Sequence, residues 1–366
     1  MMKWIWRSLL ALVLLIAVVA VAGLVYRGVV QSRAEAQLAI TSPNGIDDAL
    51  YVPIRGSEQW ITIRGRDKSN PVVLIIHGGP GFANAPLVNA MLPYEQSYTL
   101  VQWDQPGAAK TFRRAGNTIP ADLSIADVVD DGIAVAELVR ERLHADKIVL
   151  LGWSWGSMVG IEMARKRPDL FAAYVGTGQL VSLAANEAIA YADVLATARE
   201  RGVTQAVKEL EAIGPPPYSS YDELSTERKW AGIFAGGDQS VVALLTLAML
   251  GPRYSLGDVV SYIRGLLASQ DHFMGPTLDG PIFHVDLGAI ATQLEVPIFF
   301  IQGTDDNVTP AVLARGYFDR LTAPQKAYVA IEGGGHAAIV DKTGAFLAAL
   351  NEHVRPLVTG AVDTSR

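Results

Sequence analysis

The chain has 366 residues, with 30 Lys and Arg against 37 Asp and Glu, a net charge of −7 and no cysteine. The acidic balance argues against non-specific nucleic-acid binding, which needs a basic face. The lack of cysteine excludes disulfides, a Cys nucleophile and Cys-ligated metals. Half of the residues are hydrophobic, enough for a sizeable core in one large domain or in a core carrying an insertion.

Residues 8–26 carry no charge and are mostly Leu, Val, Ala and Ile, with Lys3 and Arg7 before them and Arg27 after. Nineteen residues (26 − 8 + 1) fall within the roughly 17–25 that span a bilayer as a helix. No face is polar, which argues against a buried soluble helix. The run exceeds the usual signal-peptide core of about 7–15 residues, so it predicts an uncleaved signal anchor. The alternative is a signal peptide cut after Ala20-Val21-Ala22 and a secreted body. The positive charge ahead of the span predicts a cytoplasmic N-terminus and an extracytoplasmic body. Residues 1–28 are read as the anchor and the polar, Ala-rich residues 29–48 as a tether.

Residues 51–54 and 59–64 predict two antiparallel strands joined near Gly56. Residues 72–76 form a continuous apolar run, as a strand buried on both faces requires, and His77-Gly78-Gly79-Pro80-Gly81 follows it. Another strand, 98–103, ends at Asp104-Gln105-Pro106-Gly107. Residues 124–143 predict a helix opened by a Ser124–Asp127 capping box. The strand 147–151 leads into Gly152-Trp153-Ser154-Trp155-Gly156 and then a helix. A strand at 172–175 follows. From about 179 to 285 helical stretches replace the alternation, broken at Gly214-Pro215-Pro216-Pro217 and Gly236-Gly237. Strands at 296–301 and 326–331 and helices at 310–321 and 343–354 complete the pattern. This divides the body into core residues 49–178, a helical cap 179–285, core residues 286–356 and a tail 357–366.

Strands alternating with helices predict a mostly parallel α/β sheet with helices on both faces. Ligands in such sheets bind beyond the carboxyl ends of the strands, and His77, Asp104, Ser154, Asp306 and His336 all fall at such ends. A strand, G-x-S-x-G and a helix make a nucleophile elbow, which lifts a serine out of a tight turn. A serine hydroxyl needs a base, and the base an acid to fix its tautomer. In the α/β-hydrolase fold the chain order is Ser, acid, His. Ser154 is the expected nucleophile. His336, in the glycine loop Gly333-Gly334-Gly335, is the expected base, while His353 lies inside the terminal helix. Gly303-x-x-Asp306-x-x-x-Pro310 points to Asp306 as the acid rather than its neighbour Asp305. The backbone N–H of Trp155, with donors from Gly78 and Gly79, is the expected oxyanion hole.

His77-Gly78-Gly79-Pro80-Gly81, Asp104-Gln105-x-Gly107 and Gly152-x-Ser154-Trp155-Gly156-Ser157 together resemble the proline iminopeptidase (prolyl aminopeptidase) group of α/β-hydrolases, over about residues 51–354. The resemblance implies Ser154, Asp306 and His336 as the triad, a helical cap over the site, a small-molecule or short-peptide substrate, and no cofactor or metal. The family's D-Q-R-G-x-G-x-S reads Asp104-Gln105-Pro106-Gly107-Ala108-Ala109-Lys110-Thr111 here. The family also holds the substrate's amine with two cap glutamates, one just after a tryptophan and one two residues before a histidine. Those positions match Ala231, after Trp230, and Gln270, before His272, making Trp230 and Gln270 the candidate substrate-binding residues. Neither Ala231 nor Gln270 is an acid. The expectation is therefore a serine hydrolase of small amides or esters. A true aminopeptidase using cap acids such as Asp222, Glu223 or Asp271, and a non-catalytic ligand-binding relative, are the alternatives. A metalloenzyme or nucleotide-binding reading finds no H-E-x-x-H or P-loop.

Overall fold

The apolar runs form the centre of an eight-stranded sheet in a computed structural model that describes residues 2–235 and 241–359. The strands are β1 (Ile46–Ile54), β2 (Ser57–Gly65), β3 (Val72–Ile76), β4 (Thr99–Asp104), β5 (Ile148–Trp153), β6 (Phe171–Thr177), β7 (Ile298–Gly303) and β8 (Lys326–Ile331). Their spatial order is β1-β2-β4-β3-β5-β6-β7-β8. The β1–β2 and β2–β4 pairs are antiparallel, and every other pair is parallel. Alternate side chains leave the sheet on opposite faces. Leu74, Ile76 and Leu150 join one core layer, and Val73, Ile75, Val149 and Leu151 the other. This two-sided burial makes the central strands read as unbroken apolar runs.

The helix Ile125–Leu143 opens with the anticipated box: Ser124 Oγ accepts from Asp127 N at 3.1 Å, and Asp127 Oδ2 accepts from Ser124 N at 3.0 Å. After β6 come the cap helices Leu183–Glu200, Thr204–Ile213, Tyr221–Ala235, Val241–Leu250 and Leu256–Met274. The cap has its own core, in which Tyr191, Leu210, Tyr218, Trp230 and Leu278 meet. The Gly236-Gly237 break lies outside the described residues.

Two boundaries differ from expectation. The segment 29–48, read as a tether, is largely regular structure, because the N-terminal helix continues without a break from Met2 to Leu38 and β1 begins at Ile46. After Gly28 the next helix breaker is Pro43, and Ala34, Glu35, Ala36, Gln37 and Leu38 favour helix. The start of the tail is also helical, over Arg355–Thr359, and residues 360–366 lie outside the described part. Lys3–Leu38 is long and apolar enough to cross a membrane, and its most apolar window is wholly exposed.

Candidate active site

Ser154 lies between β5 and the helix Trp155–Lys166, with φ 58° and ψ −125°. That backbone conformation strains a non-glycine residue and persists because the turn around it is closely packed. A Cβ on Gly156 would stand 2.1 Å from the Ile76 carbonyl oxygen, and one on Gly152 would stand 2.5 Å from that of Gly156. Only glycine fits at either position. Ser157 braces the turn from the far side. Its hydroxyl donates to the Ser154 carbonyl at 2.6 Å and accepts from Leu180 N at 2.8 Å.

The loop after β3 lies beside the turn. A Cβ on Gly78 would come within 3.7 Å of Ser154 Oγ, so the missing side chain opens the approach to the hydroxyl. His77 is buried, and burial lowers its pKa to about 4. It is therefore a neutral strut. Nε2 accepts from Gln105 N at 3.1 Å while Nδ1 faces the Gly78 carbonyl at 2.8 Å. Gln105 returns a bond to the His77 carbonyl at 3.0 Å, and its Oε1 accepts from Trp155 Nε1 at 2.9 Å. His77 and Gln105 thus lock the glycine loop to the elbow helix.

Of the departures from the resembled pattern after Asp104, one keeps its hydrogen bonds and another leaves strain. Thr111, at the serine position, donates its hydroxyl to the Asp104 carbonyl at 2.6 Å and accepts from Trp60 N at 2.8 Å. Ala109, at the second glycine position, keeps a positive φ of 38°, a conformation that costs an alanine about 1–2 kcal/mol.

Asp306 and His336 meet beyond the ends of β7 and β8. His336 Nδ1 is 3.1 Å from both Asp306 oxygens. Asp306 Oδ1 accepts from Val308 N at 3.0 Å and Thr309 N at 2.9 Å. Its Oδ2 accepts from Gln302 Nε2 at 2.9 Å and from the Thr309 hydroxyl at 2.8 Å. Burial works to raise the Asp306 pKa, but His336 and the Thr309 bonds outweigh it and hold the carboxyl below its ordinary value. Asp305 is exposed and bonds Thr304 instead. Trp153 Nε1 donates to the His336 carbonyl at 2.9 Å. Gly178 brings bare backbone against the imidazole, since a Cβ there would lie 2.9 Å from His336 Cε1. Trp153 and Ser157 stand within the elbow motif, whereas the bracing by Gly178, Gln302 and Thr309 has no signal in the sequence beyond proximity to the motifs.

A cavity of about 660 Å³ opens between the sheet and the cap. Ser154, Gly79 and Trp155 line it, and Gln270 lines it from the cap. Trp230 does not lie on its wall. The residue is buried in the cap core, and its indole nitrogen donates to Glu209 Oε2 at 2.8 Å. Among the acids anticipated in the cap, Asp222 and Asp271 are exposed, and Glu223 caps its own helix through Ser219 and Ser220. The cap interior holds others. Glu187 and Arg228 are on the cavity wall and are hydrogen-bonded to each other. Glu227, fully buried, stands 3.1 Å from Arg228 Nη1. Glu187 Oε2, Glu227 Oε1 and both amide atoms of buried Asn186 have no hydrogen-bond partner. The cluster thus sets two carboxylates against one guanidinium. Among the described residues, no three His, Asp or Glu side chains are grouped to hold a metal ion.

Burial pushes Glu227 up to about 7 from 4.5, with Arg228 opposing the shift and Glu187 adding to it. Between those two values the folded chain keeps a proton that the unfolded chain has released. Stability from this group is therefore greatest below the unfolded pKa and is lost as pH rises through about 7. Glu227→Gln removes the titration. In thermal melts, the wild type should lose on the order of 2 kcal/mol more than the variant between about pH 5 and 8. Parallel pH curves for the two proteins would contradict this placement of the charge. Asp104, which burial also raises to about 7, contributes equally to both and cancels.

Sheet order, elbow and buried acid–histidine pair together define a serine hydrolase of the α/β-hydrolase fold. A family model for the alpha/beta hydrolase fold matches residues 71–213. Within that class the chain is similar to the proline iminopeptidase group. It is 26% identical to a probable aminopeptidase, YbaC, of Bacillus subtilis (strain 168), over 82% of this chain and 94% of that protein. It is 25% identical to a proline iminopeptidase of Lactobacillus delbrueckii subsp. bulgaricus, over 82% and 96% respectively. The crystal structure of a proline iminopeptidase from Mycobacterium smegmatis superposes with a TM-score of 0.62 at 19% identity, covering 86% of this chain and all of that one. That last likeness establishes the fold alone.

Proposed function

We propose that the protein is a membrane-anchored serine hydrolase that cleaves a small amide or ester through an acyl-enzyme on Ser154. The observation that carries this reading is the four-donor cradle around Asp306, aimed at His336 Nδ1. A carboxylate so held keeps the imidazole proton on Nδ1 and leaves Nε2 free to accept one. Ser154 Oγ attacks the substrate carbonyl carbon as His336 takes its proton. The resulting oxyanion is met by backbone N–H groups of Trp155 and the Gly78–Gly79 loop. Collapse expels the amine or alcohol, protonated by His336, and water then releases the acid by the same steps. The N-terminal helix anchors the body with the catalytic domain on the extracytoplasmic side, and residues 179–285 act as the cap. Hydrolysis of 4-nitrophenyl acetate should show a burst of one nitrophenolate per enzyme. Loss of that burst after fluorophosphonate treatment is expected. A protein inert to both reagents would instead be a non-catalytic relative.

A second reading, an aminopeptidase, is favoured by the Glu187 carboxylate on the cavity wall, whose Oε2 has no hydrogen-bond partner. A substrate α-amine, largely protonated near pH 7, needs such a partner in a closed pocket, and Ala231 and Gln270 supply none. A charge-assisted bond is worth about 1.5–3 kcal/mol. On this reading kcat/KM for proline 4-nitroanilide exceeds that for its N-acetyl form by about tenfold to a hundredfold, and Glu187→Gln erases the preference. Equal turnover of the free and acetylated anilides would eliminate the aminopeptidase and leave the simpler hydrolase.

A further inference from the structure

The path of the N-terminal helix fixes which side of the body faces the membrane. At its C-terminal end, the Leu38 carbonyl accepts from Arg64 Nη2 at 2.6 Å. Arg64 pairs with Leu100 near the start of β4, at the end of the strands opposite the catalytic residues. Eleven residues earlier (38 − 27), about 16 Å along a helix, Arg27 meets the cap. Its Nε donates to the Met249 carbonyl at 2.9 Å, and its Nη2 is bonded to that of Tyr254. Gln31 Nε2 donates to the Gly251 carbonyl at 2.6 Å. Arg253, on the same segment, forms a double bridge to Glu35 at 2.8 Å and Asp47 at 2.6 Å. The helix therefore climbs the body from the end of the strands opposite the catalytic residues to the cap and leaves on the cap side. It is one unbroken α-helix, so the bilayer-spanning part continues the same axis.

The apolar run ends at Tyr26, next to Arg27. The Met249–Tyr254 segment thus lies within about one turn, 5 Å, of the hydrocarbon boundary, inside the headgroup layer. The cap helix that ends there, Val241–Leu250, has the sequence VVALLTLAML, with no charge and one polar residue. Outside the N-terminal helix, the exposed large hydrophobic side chains among the described residues fall mainly in the cap, at Ile233, Met249, Leu256, Val260 and Leu267. Burying such side chains at a lipid surface is favourable in proportion to their area.

We propose that the cap is seated on the bilayer through Met249, near the end of the Val241–Leu250 helix, and through Leu256 and Val260 at the start of Leu256–Met274, giving the catalytic domain a second membrane contact. The occupant of this apolar face is the lipid surface, because the anchor that crosses the bilayer is bonded to that face. The helix Leu256–Met274 also carries Gln270 and Met274 of the cavity wall.

This inference rests on the anchor reading above, and one experiment separates the two. The chain has no cysteine, so single cysteines can be placed in the full chain at Leu14, Met249, Leu256 and, as control, exposed Lys147 just before β5. Each variant is labelled with a nitrobenzoxadiazole dye, checked for fluorophosphonate reactivity, and reconstituted in phosphatidylcholine vesicles with or without nitroxide-labelled phosphatidylcholine. Strong quenching is expected at Leu14, Met249 and Leu256, and little at Lys147. Quenching at Leu14 with Met249 and Leu256 at the Lys147 level would overturn the seated cap and leave the anchor standing. No quenching at Leu14 would overturn the anchor and this proposal with it.

Discussion

Ser154→Ala should lower kcat by about 10⁶, because a nucleophile, base and acid that act as a unit lose nearly everything when one is removed. The fold should survive, with an unchanged thermal midpoint. Alanine can occupy the same turn, whose shape is set by Gly152, Gly156 and the Ser157 brace rather than by the Ser154 hydroxyl. A variant with near-normal turnover would move the nucleophile elsewhere and remove the basis of the hydrolase mechanism. A variant that unfolds would show instead that the Ser154 side chain is structural.

Asp306→Asn should cost on the order of 10⁴ in kcat, through the wrong histidine tautomer. The hydrogen-bond pattern sharpens this expectation. The two carboxylate oxygens receive four donors besides His336: two backbone N–H groups, the Gln302 amide and the Thr309 hydroxyl. Wherever an asparagine places its NH₂, it faces at least one of these donors, so the amide has no position that satisfies the site and still accepts from Nδ1. Asp305→Asn should leave kcat within a few-fold, since Asp305 is solvent-exposed and contacts Thr304. The reverse ranking, measured on one ester substrate, would show that the acid is Asp305.

The parts legible in the sequence share a physical cause. Residues 72–76, 148–153 and 298–303 are buried on both faces of the sheet, so their apolar character is continuous and unmistakable. The elbow is legible because its glycines answer to backbone contacts of 2.1–2.5 Å, which no other residue tolerates. Asp306 stands out from Asp305 through its fixed distance to the helix beginning after Pro310.

Other features depend on packing between distant segments and leave no local mark. Glu187 and Glu227 sit on different cap helices and would pass for solvated positions. Arg228 follows Glu227 in the same helix, and only the folding of Leu183–Glu200 against Tyr221–Ala235 brings Glu187 to them. Trp230 illustrates the converse: a tryptophan placed by its resemblance to a substrate-contacting position is held in the cap core by Glu209, a residue 21 positions away. The N-terminal helix is legible as a run long and apolar enough to cross a membrane, but not beyond that run. The polar residues 29–38 look like a tether until their bonds to the cap and to Arg64 are seen.

The proposed mechanism depends most directly on the identity of the reacting atom. Full-length protein treated with a fluorophosphonate, digested and analysed by tandem mass spectrometry should carry one phosphonyl group per chain, on the peptide containing Gly152-Trp153-Ser154-Trp155-Gly156 and at Ser154 Oγ. The Ser154→Ala protein should carry none. An adduct on another residue, or equal labelling of the alanine variant, would contradict the account.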